Sequence, residues 1–169
     1  MVQARGFTLV EVLVVVVIMG VLAGAVMLAG GARGDAYQLR EEAERFGTVV
    51  RLVADEAVLD NREYGIQLST QGYGIRRHDG RSGRWLPVPD WAPHRLPAGM
   101  QFSIAVEGAP LQLPNADTGD ERPPQILLSS SAQWTPFHAR IHAGEGSARG
   151  YRIDSDGMND PQVSEMLAP

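Results

Sequence analysis

The sequence predicts an α+β fold in which one long N-terminal helix packs on a C-terminal antiparallel β-sheet or sandwich. Three observations lead to this prediction. No charged residue occurs between positions 12 and 32. Apolar residues then recur at helical spacing as far as residue 57, and from Tyr64 onward their period changes from 3.6 to 2.

The first element is an apolar helix over residues 7–32. A transmembrane helix needs about 20 apolar residues, and this segment is long enough. Its one acidic residue, Glu11, comes early in the apolar run. A charge there costs about 2.5–3.5 kcal/mol on insertion scales, so an intramembrane acid is a functional hypothesis by default. We therefore predict a transmembrane or filament-core helix with Glu11 as its functional residue.

The second element is an amphipathic helix over residues 33–61, ending near Asp60 and Asn61. Its apolar residues are spaced alternately by four and three, which makes one stripe for packing. The charged residues, Glu42 among them, are expected mainly off that stripe. The stripe consists of Leu39, Ala43, Phe46, Val50, Val53 and Ala57.

Residues 62–169 are predicted to form a β-rich head domain. Short alternating runs separated by turn residues indicate an antiparallel sheet. Residues 108–124 combine Pro with Asn, Asp and Gly and are predicted as a long mobile loop. The predicted strands cover residues 64–68, 73–77, 84–88, 101–106, 125–129, 137–142 and 151–154.

Charge and cysteine content exclude several classes of function. Beyond residue 33 the chain has 13 Arg and 19 acidic residues, a net charge of −6. A domain this acidic is a poor general binder of nucleic acid or of an anionic membrane surface. The chain has no Cys, so disulfides and thiolate metal sites are excluded.

The N-terminus resembles that of type IV pilins and type II secretion pseudopilins. Residues 5–11 read RGFTLVE, which places a Gly-Phe junction after a short basic leader and an acid shortly behind it. The resemblance implies that residues 1–6 are a leader, that a prepilin peptidase cleaves between Gly6 and Phe7, and that Phe7 is then N-methylated. It also implies that Glu11 acts in filament assembly.

The chemistry of Glu11 agrees with that role. An α-amino group has an ordinary pKa of about 7.7–8.0 and is protonated near neutral pH. The N-terminus of one subunit and the Glu11 carboxylate of its neighbour can neutralise each other inside a helical bundle. Glu11 would then set the register of assembly.

The body of the chain resembles the GspH/FimT family of minor pseudopilins and minor pilins. The similar segments include residues 64–68, 72–75, 85–87, 96–100, 124–131, 135–137 and 151–157. Where that family usually has Gly-Glu before Thr-Pro-Phe, this chain has Gln133 and Trp134. The resemblance implies a non-enzymatic subunit of the type II secretion pseudopilus, held in the inner membrane with a periplasmic head. Its implied partners are other pseudopilins, the inner-membrane secretion platform and exported cargo.

Three alternatives remain open on the sequence. A minor type IV pilin of the FimT or FimU kind has the same N-terminus and would act in pilus assembly, adhesion or DNA uptake. A secretory signal peptide cleaved near Ala23-Gly24-Ala25 is weakened by Glu11 in its apolar region. A signal anchor carrying a periplasmic binding module would never polymerise.

Other chemical motifs are better explained as surface or packing features, so we expect no catalytic residue, no cofactor and no metal. Residues 154–160 are rich in Asp but fail the calcium-loop pattern at Met158 and Asn159. His138 and His142 are predicted to face solvent from a strand. The run 129–131 of Ser lacks nucleophile-elbow glycines. The arginines over 76–84 form a solvated hairpin, and the three Trp are core or subunit contacts.

Overall fold

The structure is a computed structural model that describes residues 9–115, 122–144 and 149–166, without the side chains of residues 25–35. The helix α1 spans Leu9–Asp60. The chain divides into two compact units, with the boundary between Tyr37 and Gln38. In the described part, ten strands follow α1: β1 Tyr64–Ser69, β2 Gly72–Asp79, β3 Arg84–Pro87, β4 His94–Arg95, β5 Met100–Val106, β6 Ala109–Leu111, β7 Ile126–Leu128, β8 Phe137–Ala143, β9 Gly150–Ser155 and β10 Gln162–Met166.

The strands form two antiparallel sheets. The first has the order β3-β2-β1-β7, with β4 also paired to β2, and the second has the order β10-β9-β8-β5-β6. In the first sheet Ile66 of β1 lies opposite Ile75 and Ile126. In the second, Ala139 of β8 lies opposite Ile104 and Ile153. The predicted α+β fold is confirmed.

Helix α1 ends where the sequence predicts. Asn61 has a φ of 51°, in the left-handed region that ends many helices. The backbone N–H of Arg62 donates to the carbonyl of Ala57 at 3.0 Å, which satisfies one of the last helical acceptors. The chain then enters β1 at Tyr64.

The core lies where the predicted apolar stripe of α1 meets the sheets. All six residues of that stripe are buried. Phe46 makes edge contacts with Tyr73 of β2 at 5.3 Å between ring centroids and with Phe102 of β5 at 5.1 Å. Its ring also lies 6.0 Å from that of Phe137 in β8. One helical side chain therefore contacts both sheets, and its full burial contributes about 1.5–3 kcal/mol.

The prediction that Glu42 lies off the packing face of the helix is wrong. Glu42 is buried, with 9% of its surface exposed. It lies beside the apolar stripe, where His94 of β4 contacts its carboxylate. A buried carboxylate is tolerated when it has such a partner.

The region predicted as a loop over 108–124 begins with strand β6. Glu107 and Gly108 have φ values of 51° and 82°, and Val106 pairs with Ala109 across them. Two central residues with positive φ make the tight hairpin turn that matches strand twist. Pro110 is accommodated because β6 is an edge strand, where a missing N–H leaves no sheet partner unsatisfied.

Strands β4 and β10 also lie outside the predicted set. β10 pairs with β9 along its whole length, so residues 156–161 connect these two strands. The predicted strand over 151–154 is therefore one arm of a hairpin.

Candidate assembly site

Residues 9–22 of α1 expose apolar side chains on all sides. Between Leu9 and Leu22, the exposed fraction of the large apolar side chains runs from 42% at Val15 to 82% at Leu9. A helix that is apolar all round belongs in a membrane or in the interior of an assembly. Exposed apolar surface of this extent marks a site of interaction.

Glu11 lies in the first turn of this helix. It is the one charged residue among positions 9–24. An acidic side chain near a helix N-terminus is favourable, because the unpaired backbone N–H groups carry partial positive charge there. The processing residues Gly6 and Phe7 lie outside the described residues, so their predicted roles stay predictions.

Among the residues that the structure describes, no helix is both long enough and apolar enough to cross a bilayer.

The contact between Glu42 and His94 was not predicted. The Nε2 atom of His94 lies 2.6 Å from Oε2 of Glu42, and their side chains are 22% and 11% exposed. The ring of His94 lies 5.0 Å from that of Tyr73. Burial, and then the charge of Glu42, raise the pKa of Tyr73. No sequence signal links residues 42 and 94, since the pairing depends on where β4 meets α1.

A second polar cluster lies at the end of α1. The indole N–H of Trp91 donates to Oε2 of Glu56 at 2.7 Å. The hydroxyl of Tyr64 donates to Oδ2 of Asp60 at 2.6 Å. Burial raises the pKa of Tyr64 to about 12, with further contributions from the Asp60 hydrogen bond and the Glu56 charge. These bonds attach the segment between β3 and β4, and the start of β1, to the helix.

The Asp-rich turn over 154–160 is closed by its own hydrogen bonds. The backbone N–H of Asn159 donates to Oδ1 of Asp156 at 2.8 Å, and the Asn159 amide donates to Oδ2 at 2.8 Å. These bonds, with a third from the Met158 N–H, lower the pKa of Asp156 to about 2. Within the described residues, no group of three or more His, Asp or Glu side chains is arranged to hold a metal ion.

The remaining motifs lie where the sequence predicts, except that the prediction of a solvent-facing His142 is wrong. His138 faces solvent from β8 and bonds Asp154 at 2.7 Å, whereas His142 is half-buried. The arginines over 76–84 lie on the hairpin of β2 and β3, and Asp79 accepts hydrogen bonds within its turn. Trp91 and Trp134 pack against the core.

Comparison with known proteins agrees with both parts of this description. The family model for the prokaryotic N-terminal methylation motif matches residues 1–27. The model for the type II transport protein GspH matches residues 42–157.

Individual relatives also belong to type II secretion systems. Type II secretion system protein H of Pseudomonas aeruginosa is 38% identical over 165 residues, covering 95% of each chain. The protein of the same name from Aeromonas hydrophila is 30% identical over 145 residues, covering 80% of this chain and 79% of the relative. The structure of the minor pseudopilin EpsH from the type 2 secretion system of Vibrio cholerae aligns with a TM-score of 0.56 and 20% identity. That alignment covers 78% of this chain and 98% of EpsH, and at this identity it supports the fold alone.

Proposed function

Because the chain belongs to the GspH family of type II secretion proteins, we propose that it is a minor pseudopilin of the type II secretion pseudopilus. In this role it is a structural subunit that supports export of folded proteins across the outer membrane. The observation that carries the proposal is the exposed apolar surface of residues 9–22 of α1, with Glu11 in the first turn of that helix. A surface of this kind requires cover from other molecules.

Processing comes first in the proposed sequence of events. A prepilin peptidase removes residues 1–6 by cleaving between Gly6 and Phe7 and then methylates the new N-terminus. The match of residues 1–27 to the N-terminal methylation motif supports this step. Cleavage brings the cationic N-terminus close in sequence to Glu11.

During assembly, Glu11 then sets the register between neighbouring helices. The carboxylate of Glu11 neutralises the N-terminal ammonium of a neighbouring subunit within the bundle of apolar helices. A charge pair persists in such surroundings only when its geometry is good, and truncation of one partner leaves an uncompensated charge. Helices that associate in the wrong register are therefore less stable, because the charge pair is not formed.

The proposed location is the bacterial inner membrane, with the N-terminus cytoplasmic and the head in the periplasm. The proposed partners are the prepilin peptidase, other major and minor pseudopilins, the secretion platform and exported cargo. The acidic head makes nucleic acid a poor partner. The relatives reported above are type II secretion proteins, so no observation favours the type IV pilus alternative. The family is a structural one, and we assign the chain no catalytic activity of its own.

The substitution Glu11→Val tests the proposal. It removes the assembly charge and makes the helix more apolar, so we expect insertion and cleavage to continue while assembly fails. Cleavage is followed by intact mass, and assembly by chemical cross-linking to other pseudopilins in membranes of a secreting host. Glu41→Val is the matched control, because Glu41 is an exposed acid further along the same helix. Normal cross-linking of Glu11→Val would contradict the assembly role of Glu11, whereas absence of cross-linking for the unsubstituted chain would favour an anchored binding module that does not polymerise.

A further inference from the structure

The second sheet has a row of polar side chains across its exposed face. The strand registers align Ser103 of β5 with Arg140 of β8, Arg140 with Arg152 of β9, and Arg152 with Ser164 of β10. All four are exposed, while the alternate residues of β8 and β9, such as Ile141, point into the core. The row therefore carries two arginines directly opposite each other on neighbouring strands.

This arrangement is unfavourable without a ligand. Like charges directly opposite on a sheet destabilise it, since their Cβ atoms lie only about 4.5–5.5 Å apart. Within the part of the chain that the structure describes, neither guanidinium has a hydrogen bond or ion pair. The carboxylate on the next row, Asp154, is bonded to Nδ1 of His138 at 2.7 Å. The positive charge of the two arginines is thus left for an external partner.

The arginines lie in a concavity. A cavity of 490 Å³ is lined by residues from four strands, with Pro110 of the edge strand β6 on one side and Arg152 of β9 on the other. Ser103 and His138 add polar groups to its lining. The space is sufficient for a few side chains of a bound segment.

We propose that this concave face binds an acidic segment of a partner protein. The planar guanidinium is suited to bidentate recognition of carboxylates. Two such groups on adjacent strands can hold two neighbouring acidic side chains, or one carboxylate between them. Beyond residue 33 the chain has a net charge of −6, so the two opposed arginines carry positive charge within a head that is acidic as a whole.

A peptide fits these observations better than a membrane or a nucleic acid. Recognition of anionic lipid usually uses clusters of about 4–8 basic residues, and binding to nucleic acid gains affinity from many phosphate contacts. The concavity has two arginines, which are fewer basic groups than either of these ligands needs. The arginines and Glu11 belong to different compact units of the chain, so the two proposals are tested with different variants.

Fluorescence polarisation tests the proposal directly. The full-length chain in a non-ionic detergent is titrated into labelled octaglutamate, with labelled octaglutamine as the uncharged probe. The test variant is Arg140→Gln/Arg152→Gln. The matched control is Arg62→Gln/Arg81→Gln, which removes the same charge from two other exposed positions. The single variant Arg152→Gln is measured as well, and thermal unfolding checks that each variant is folded.

We expect salt-sensitive binding of octaglutamate that the test variant weakens by about tenfold or more, as loss of charge-assisted hydrogen bonds predicts. The single variant should show part of that loss, and the control should stay within about twofold. Equal loss in the test and control variants would mean non-specific attraction and would overturn the proposal. So would equal binding of octaglutamine, or absence of octaglutamate binding. Arginine-dependent binding to phosphatidylglycerol vesicles without octaglutamate binding would overturn it in favour of a lipid.

Discussion

His94 of the two-residue strand β4 contacts Glu42 of α1, with 2.6 Å between Nε2 and Oε2. The strand is too short to hold its own position through the two residues that it pairs with β2. The contact with Glu42 joins this strand to the helix, and the ring of His94 packs beside that of Tyr73. This polar pair therefore helps to hold β4 against the helix.

Glu42→Ala tests the importance of this pair. We expect the free energy of unfolding to fall by about 1–3 kcal/mol, because the half-buried imidazole of His94 loses its hydrogen-bond partner. The measurement is urea unfolding followed by tryptophan fluorescence. Glu41→Ala, at an exposed neighbouring position, should change stability by less than about 0.5 kcal/mol. Equal effects of the two substitutions would show that the pair contributes nothing.

Gly47→Ala is expected to stabilise the head. Gly47 lies inside α1, where Gly costs about 1 kcal/mol relative to Ala. A Cβ added there would lie 3.7 Å from Cγ2 of Val163 and 3.8 Å from Cβ of Pro161, which are ordinary contact distances. Thermal unfolding should therefore show a higher melting temperature, with a gain of up to about 1 kcal/mol. A lower melting temperature would mean that helix and strand pack too closely for a methyl group.

Tyr64 should make the head sensitive to alkali. Burial and the hydrogen bond to Asp60 raise its pKa from 10.0 to about 12. The unfolded chain then releases the phenol proton at a lower pH than the folded chain. This contribution to stability is complete below pH 10 and is lost as the pH rises toward about 12.

Tyr64→Phe should reduce that pH dependence. The relevant measurement is the urea midpoint at several pH values between about 9 and 11. Part of the dependence should remain, because burial raises the pKa of Tyr73 in the same direction. An unchanged slope in Tyr64→Phe would contradict the assignment.

Arg140→Gln is expected to raise stability. It removes the repulsion with Arg152 on the opposite strand, which should contribute about 0.2–1 kcal/mol. The gain should shrink at high salt, where exposed charges are screened. Thermal unfolding at low and high salt measures it, with Arg81→Gln as the control. A loss of stability would mean that Arg140 supports the folded sheet.

The regular part of the fold could be predicted from the sequence because its apolar pattern is strong. The stripe from Leu39 to Ala57 identified the packing face of the helix, and seven alternating runs identified seven strands. The alternation of apolar and polar residues is weak in strand β10. Val163 is its one residue with a large aliphatic side chain, and this side chain lies beside Gly47 of α1. Strand β6 contains Pro110 and reads as a loop unless its edge position is known.

The polar contacts could not be predicted in the same way. Glu42 borders the apolar stripe, and only the fold reveals that His94 approaches it. The opposed arginines depend on the register of β8 against β9, which an alternating pattern alone does not specify. In contrast, the roles predicted for Gly6, Phe7 and Glu11 rest on a local motif whose spacing is independent of the fold of the head.

The most direct test of the account is the intact mass and N-terminal sequence of the protein from membranes of a host that has its prepilin peptidase. We predict a mature chain that begins with N-methylated Phe7 and contains Glu11 near its new terminus. A chain that retains Met1 would contradict peptidase processing and leave an uncleaved anchor. A chain that begins near Val26 would have lost Glu11 and most of the apolar helix, and it would contradict the assembly mechanism.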